Sequence, residues 1–147
     1  MPTRADLESA LKDAMRSGND MRKNTIRMAL AAVKFTEVEK GAALDENGVT
    51  AILQKEIKSR RESIADAQKA QRADLVEAAQ AEIAILEGFL PEALSADDLE
   101  ALARQAVAEV GATSIREMGQ VMKLLVPRLQ GRATGDQASQ AVRKLLQ

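Results

Sequence analysis

Residues 49–70 read VTAILQKEIKSRRESIADAQKA, a run with no glycine and no proline. At about 100° per residue, Leu53, Ile57 and Ile64 fall on one face of a helix, and most polar residues fall on the others. This pattern predicts an amphipathic helix that packs its apolar face against other helices.

Arg60 departs from this pattern, because it lies on the apolar stripe where an aliphatic residue is expected. One interpretation is a snorkelling or salt-bridged arginine, paired with Glu56 one turn earlier. The other is an anion ligand that projects into a groove between helices. The spacing alone leaves both interpretations open.

Comparable patterns on either side of this run predict helices along the whole chain. Glycines follow several of the apolar runs, and Pro91 closes the fourth. Capping boxes are predicted at 95–98 and 114–117, and Asp136 is the predicted cap of the last helix. The predicted helices span about 6–16, 21–40, 49–70, 75–90, 95–110 and 114–127, with a last helix after Asp136.

The composition supports the same fold class. Aromatic residues make up 1% of the chain, whereas β-sheets favour aromatic and β-branched residues. Residues with high helix propensity dominate instead. We therefore predict an all-α protein, with an N-terminal bundle of long helices over residues 1–91 and a small three-helix C-terminal domain over residues 95–147.

The residue types exclude several catalytic chemistries. Histidine and cysteine are both absent, which excludes Ser–His–Asp and Cys–His catalysis and zinc sites built from those residues. No phosphate-binding glycine loop occurs. We therefore expect no catalytic residue, no metal and no cofactor.

Two weaker arrangements of reactive residues remain. Glu77, Glu82 and Glu87 share one predicted helix and could supply a Mg²⁺ site or an acid/base pair, although acidic residues ordinarily keep such a face soluble. Lys58 lies next to a serine, but a Ser–Lys mechanism needs a buried lysine. The favoured interpretation is structural in both cases.

The start of the chain carries no basic segment followed by an apolar one, as a secretory signal would. No stretch approaches the roughly 18 to 20 apolar residues of a membrane span. From these two observations we expect a cytoplasmic protein that does not contact a membrane.

Charge is segregated along the chain although the net charge is only −1. Residues 22–72 carry eleven basic and seven acidic groups, and residues 111–147 carry six basic and two acidic groups. Between them, residues 73–110 carry one basic and nine acidic groups. Such segregation can orient a charged partner even when net charge cannot.

The basic residues form three groups. On the predicted second helix, Lys23, Arg27 and Lys34 project within about 40° of one another, and on the third, Lys58 and Arg61 lie within about 60° of each other. Near the C-terminus, basic residues surround a glycine-bounded loop, and the start of the last helix could offer backbone amides to an anion. The equally open alternative is that these residues complement the dipole at a helix C-terminus. They are Lys123, Arg128, Arg132, Arg143 and Lys144. Phe35 and Phe89 are assigned to helix-core positions, so any RNA contact is expected to involve backbone and shape rather than stacking.

Several segments resemble the GatB/YqeY family. They are 22–34 (RKNTIRMALAAVK), 54–64 (QKEIKSRRESI), 85–91 (ILEGFLP) with Leu94-Ser95, 118–122 (MGQVM) and 131–135 (GRATG). The resemblance covers essentially the whole chain, in order, and is to the free-standing YqeY-like branch. It implies an N-terminal bundle of long helices and a smaller helical C-terminal domain.

The resemblance also implies a link to tRNA. A similar domain forms the tail of the GatB component of the aspartyl/glutamyl-tRNA amidotransferase, where it helps to hold tRNA. Carbon–nitrogen ligase activity with glutamine as amido-N-donor belongs to other domains of that enzyme. The candidate nucleic-acid-binding residues are Arg27, Lys34, Lys55, Lys58, Arg60, Lys123 and Arg132, with Gly119, Gly131 and Gly135 permitting close approach.

One residue differs from the family pattern. Thr134 stands where the family often has Asp, which removes a carboxylate and is expected to weaken helix capping at that point.

Three functional hypotheses follow. The first is a non-catalytic tRNA-binding or tRNA-enzyme accessory protein, whose partners would be tRNA and an aminoacyl-tRNA synthetase or amidotransferase. The second is a helical protein-interaction module that docks through the acidic segment 73–110. The third, which we favour least, is carbon–nitrogen ligase activity as part of a complex.

Overall fold

A computed structural model describes all 147 residues and contains seven α-helices and no strand, so the all-α prediction is confirmed. The helices are α1 (Arg4–Ser17), α2 (Asp20–Lys40), α3 (Glu46–Lys69), α4 (Ala73–Glu87), α5 (Ala96–Val110), α6 (Met118–Leu129) and α7 (Gly135–Leu146), with a 3-10 turn (Ile115–Glu117) before α6. None of these helices combines the length and the apolar content needed to cross a bilayer. The chain divides into two compact units, Met1–Pro91 and Glu92–Gln147.

The first unit is built around one hydrophobic core to which all four of its helices contribute. Leu7 of α1, Ile26 and Val33 of α2, Leu53 of α3 and Leu86 of α4 are all completely buried. Helix α1 ends at its C-cap, Gly18, which adopts the left-handed conformation (φ 69°) that glycine accepts at low cost.

Glu37 of α2 forms hydrogen bonds to both α1 and the loop before α3. One carboxylate oxygen accepts a 2.6 Å hydrogen bond from Arg4 Nη1 of α1. The other accepts a 2.9 Å bond from the backbone N–H of Leu44, in the loop before α3. The Glu37 side chain is only 10% exposed, so this carboxylate is a structural group rather than a surface charge.

The second unit packs α5, α6 and α7 around Ala106, Val121, Leu125 and Val142, all completely buried. Its leading segment is tied to the loop after α6. The backbone N–H of Leu94 donates to the carbonyl of Arg132 at 2.9 Å.

Some local predictions are wrong. Helix α3 begins at Glu46 rather than at the predicted Val49, because the Asp45 side chain caps it by accepting from the N–H of Gly48. The Ser114 side chain makes no capping bond. The last helix is capped by Thr134 rather than Asp136, in a reciprocal capping box with Gln137.

Candidate nucleic-acid interface

Helix α2 presents two of the predicted cations to solvent. Arg27 and Lys34 are exposed, and seven residues place them about 20° apart on the helix. The opposite side of α2 is buried through Ile26, Ala29 and Val33. Packing of that side therefore holds both cations outward, and neither takes part in an ion pair within the chain.

The three candidate residues on α3 differ in exposure. Lys55 and Lys58 are exposed, whereas the Arg60 side chain is 8% exposed. Arg60 Nε donates to Glu82 of α4 at 2.7 Å, and Nη1 donates to Glu56 at 2.8 Å. The structure thus favours the salt-bridged arginine over the anion ligand, because two carboxylates already occupy the guanidinium.

The environment of Arg60 also fixes its charge. Burial by itself would lower the pKa of the guanidinium, but the hydrogen bonds to Glu56 and Glu82 outweigh burial and raise that pKa above its ordinary value. Arg60 Nη2 also contacts the sulfur of Met28 at 3.8 Å. Arg60 therefore joins α2, α3 and α4.

The C-terminal candidates also differ from one another. Lys123 is exposed, about 160° around α6 from the buried Leu125. Arg132 Nε donates to the backbone carbonyl of Glu92 at 2.8 Å, and Arg128 forms two hydrogen bonds to Glu109 of α5. Reversing the charge of Arg132 would break this bond and disturb the unit, so such a substitution does not test binding alone.

The three candidate glycines have different roles. Gly131 has φ 75°, a left-handed conformation that side chains rarely adopt. Gly119 and Gly135 are exposed, and a Cβ at either position would meet nothing within 4 Å. Their lack of a side chain therefore leaves open surface beside α6 and at the start of α7 without being needed for internal packing.

The acidic segment 73–110 is largely neutralised by partners within the chain. Five of its nine acidic residues form ion pairs with arginines. The pairs are Asp74 with Arg72, Glu82 with Arg60, Glu87 with Arg61, Glu100 with Arg104, and Glu109 with Arg128. The segment also divides between the two units at Pro91. It therefore offers a partner less free negative charge than its composition indicates.

The two weaker catalytic arrangements find no support in the geometry. Glu82 and Glu87 are held by arginines of α3, so they do not form an acid/base pair with Glu77. Lys58 is exposed, and the Ser63 hydroxyl donates to the carbonyl of Ser59 at 3.1 Å. A buried lysine beside a free serine is absent.

The assignment of Phe35 to the helix core is wrong. Its side chain is 66% exposed on α2, whereas Phe89 is half-buried and lies under the guanidinium of Arg22, 5.4 Å from the ring centroid. Phe35 lies seven residues after Met28, another exposed residue of α2, so both lie on the same side of that helix.

Comparison with known proteins gives a family and several relatives. The model of a family described as Yqey-like protein matches residues 4–146. The protein named altered inheritance of mitochondria protein 41, mitochondrial, is 37% identical in Lachancea thermotolerans over 97 residues, 65% of this chain and 52% of the relative. Its counterpart in Pyrenophora tritici-repentis is 31% identical over 129 residues, 86% of this chain and 71% of the relative. In Kluyveromyces lactis the identity is 41% over 86 residues, 58% of this chain and 46% of the relative.

These relatives overturn one expectation. Their names place them in mitochondria, which contradicts the cytoplasmic location expected from the sequence. That expectation rested on the lack of a secretory signal and of an apolar span, and neither property distinguishes the cytoplasm from a mitochondrial compartment. The chain spans about half the length of the relatives from Lachancea thermotolerans and Kluyveromyces lactis.

Proposed function

The chain belongs to the YqeY-like family, and we propose that it is a non-catalytic accessory protein that binds tRNA by its phosphate backbone beside a tRNA enzyme. An amidotransferase or an aminoacyl-tRNA synthetase is the partner enzyme under this proposal. Any carbon–nitrogen ligase chemistry would then belong to that enzyme and not to this chain, which contains no histidine or cysteine.

The observation that carries the proposal is a set of exposed cations that are not neutralised within the chain. Arg27 and Lys34 on α2, Lys55 on α3 and Lys123 on α6 are exposed, while other arginines are held by carboxylates. Phosphate oxygens attract exposed cations of this kind, and the contacts position a nucleic acid without reading its sequence.

The proposal predicts a strong dependence on salt. Each phosphate neutralised by a lysine or arginine releases condensed counterions, so log K falls with log salt by roughly 0.7 to 0.9 per contact. The three contacts of the first unit would weaken binding by roughly 20- to 40-fold between 50 and 200 mM salt. A protein that recognised tRNA mainly through apolar contacts would show a much shallower slope.

The test is fluorescence anisotropy of labelled tRNA with the purified chain at several salt concentrations. Arg27→Glu with Lys34→Glu should weaken binding at least tenfold at low salt and lower the salt slope by about 2. The matched control is Lys12→Glu with Arg16→Glu, which reverses two exposed cations of α1. Equal losses in the two double variants would show a non-specific charge effect and would refute the proposed site.

The alternative of protein docking through the acidic segment 73–110 is less well supported, because five of its carboxylates are paired within the chain. Capture of partners from a lysate with and without nuclease separates the two hypotheses. A partner that survives nuclease and is lost when Glu77 is changed to lysine would favour the acidic segment. Turnover of glutamine by the pure chain would favour the ligase hypothesis instead.

A further inference from the structure

Helix α2 carries a second apolar stripe on the side away from the core. Met21, Met28 and Phe35 recur every seven residues. Three residues after each of them lie Asn24, Ala31 and Val38, respectively. This is the a and d spacing of a coiled-coil seam. We term it the α2 seam, and its residues are Met21, Asn24, Met28, Ala31, Phe35 and Val38.

The α2 seam is exposed along its whole length. The large side chains are 40% exposed at Met21, 55% at Met28, 66% at Phe35 and 73% at Val38. At 1.5 Å per residue the stripe is about 26 Å long. Single exposed hydrophobic residues are ordinary on a protein surface, but a continuous row of this length marks a contact surface.

One edge of the α2 seam is cationic. Arg27 and Lys34 immediately precede Met28 and Phe35, which places them at the g position of the same heptads. At the e positions on the opposite edge, Thr25 is buried, Ala32 is partly buried and Glu39 is exposed. In coiled coils, the charges at e and g decide which helix binds and in which orientation.

We propose that the α2 seam docks an amphipathic helix of a partner protein, and that carboxylates flank the apolar stripe of that helix. Apolar side chains of the partner would cover Met28, Phe35 and Val38, and its carboxylates would pair with Arg27 and Lys34. This surface shares Arg27 and Lys34 with the proposed RNA contacts, but its exposed apolar residues are ones that phosphate contacts do not use.

A second copy of the chain fits this surface less well. In an antiparallel pair, g positions face g positions, so Arg27 and Lys34 of one copy would face the same cations of the other. In a parallel pair, Lys34 would face Glu39 of the other copy, but Arg27 would face Ala32, which offers no carboxylate. An acidic helix from a different protein pairs both cations, so the charge pattern favours it.

The experiment uses two labelled synthetic helices, each about three heptads long, with leucine at a and d. One carries glutamate at e and g, and the other carries lysine there. The intact chain should bind the acidic peptide at least tenfold more tightly than the basic one. Arg27→Glu with Lys34→Glu should reverse that preference, because it reverses the charge of the seam's edge.

The apolar part of the proposal is tested by Phe35→Ser. Its matched control is Leu75→Ser, which removes another exposed side chain (48%) from the same unit, on α4. Phe35→Ser should weaken binding of the acidic peptide at least tenfold, and Leu75→Ser should leave it within a factor of two. Because both residues are exposed, far-UV circular dichroism should show both variants folded.

Three results would overturn the proposal. The first is equal binding of the acidic and basic peptides by the wild-type chain. The second is a wild-type dimer in sedimentation that Phe35→Ser dissociates, which would make a second copy the occupant. The third is an effect of Phe35→Ser on tRNA affinity with none on peptide affinity, which would assign Phe35 to stacking on a base. If the chain fails to bind tRNA but binds the acidic peptide as described, the proposed function is refuted and the docking proposal is not.

Discussion

Replacing Arg60 by alanine tests whether the buried ion pairs hold the first unit together. The substitution removes a side chain that is 8% exposed and two charged hydrogen bonds that join α3 to α4 and to its own preceding turn. It also removes the guanidinium that pairs with Glu56 and Glu82. Removing one member of a buried pair costs about 3 to 5 kcal/mol when the remaining charge stays buried.

The expected cost is lower than that range. The Glu56 and Glu82 side chains are 25% and 31% exposed, so water can solvate both carboxylates after Arg60 is removed. We therefore expect Arg60→Ala to lower the free energy of unfolding by about 2 to 3 kcal/mol. For a unit of 91 residues, this corresponds to a Tm lower by roughly 10 to 20 °C.

The assay is thermal unfolding monitored by far-UV circular dichroism, because the chain has no tryptophan or tyrosine to report by fluorescence. The control is Arg61→Ala at the neighbouring position, where the side chain is 60% exposed and pairs with Glu87 on the surface. That variant should change stability by less than about 0.5 kcal/mol. Equal Tm shifts for the two variants would refute the structural role assigned to Arg60.

Three further predictions concern the second unit. Leu125→Ala removes a completely buried side chain and should cost about 3 kcal/mol, measured by urea unfolding; a cost below about 1 kcal/mol would contradict the packing. Thr134→Ala should cost about 1 kcal/mol by loss of the capping box, whereas Thr134→Asp should stay close to the wild type; equal losses in thermal unfolding would contradict the capping role. The hydrogen bond from Arg128 lowers the pKa of Glu109 below its ordinary 4.5, so this pair stabilises the unit above pH 4.5 and less as the pH falls through the lowered pKa. The stability difference between the wild type and Glu109→Gln should therefore shrink below pH 4.5, and a constant difference across that range would refute this role.

The helices were predictable because their signals are local. Apolar spacing identified the buried side of α3 through Leu53 and Ile57. The capping of α7 was less predictable, because Thr134 and Asp136 are both suitable caps in sequence and the choice depends on where the preceding loop turns. The side of α2 that stays uncovered depends on where the other helices pack, so the exposure of Phe35 could not be read from the chain.

The candidate site was predictable only in part, for a related reason. Helical phase alone places Arg27 and Lys34 away from the core. The ion pairs that remove other cations from the surface connect distant positions. Glu82 lies 22 residues after Arg60, and Glu109 lies 19 residues before Arg128. Sequence spacing within one helix therefore identified Glu56 as a partner of Arg60 and could not identify Glu82.

Glu37 has a consequence for how the first unit opens. The Glu37 carboxylate accepts hydrogen bonds from both Arg4 and the backbone N–H of Leu44. When the first helix frays, the carboxylate loses its bond to Arg4 and holds the Leu44 N–H less firmly. Exchange of the Leu44 amide hydrogen with solvent is therefore coupled to events about 40 residues earlier in the chain. The exchange rate of the Leu44 amide should thus report on whether the N-terminal helix is docked.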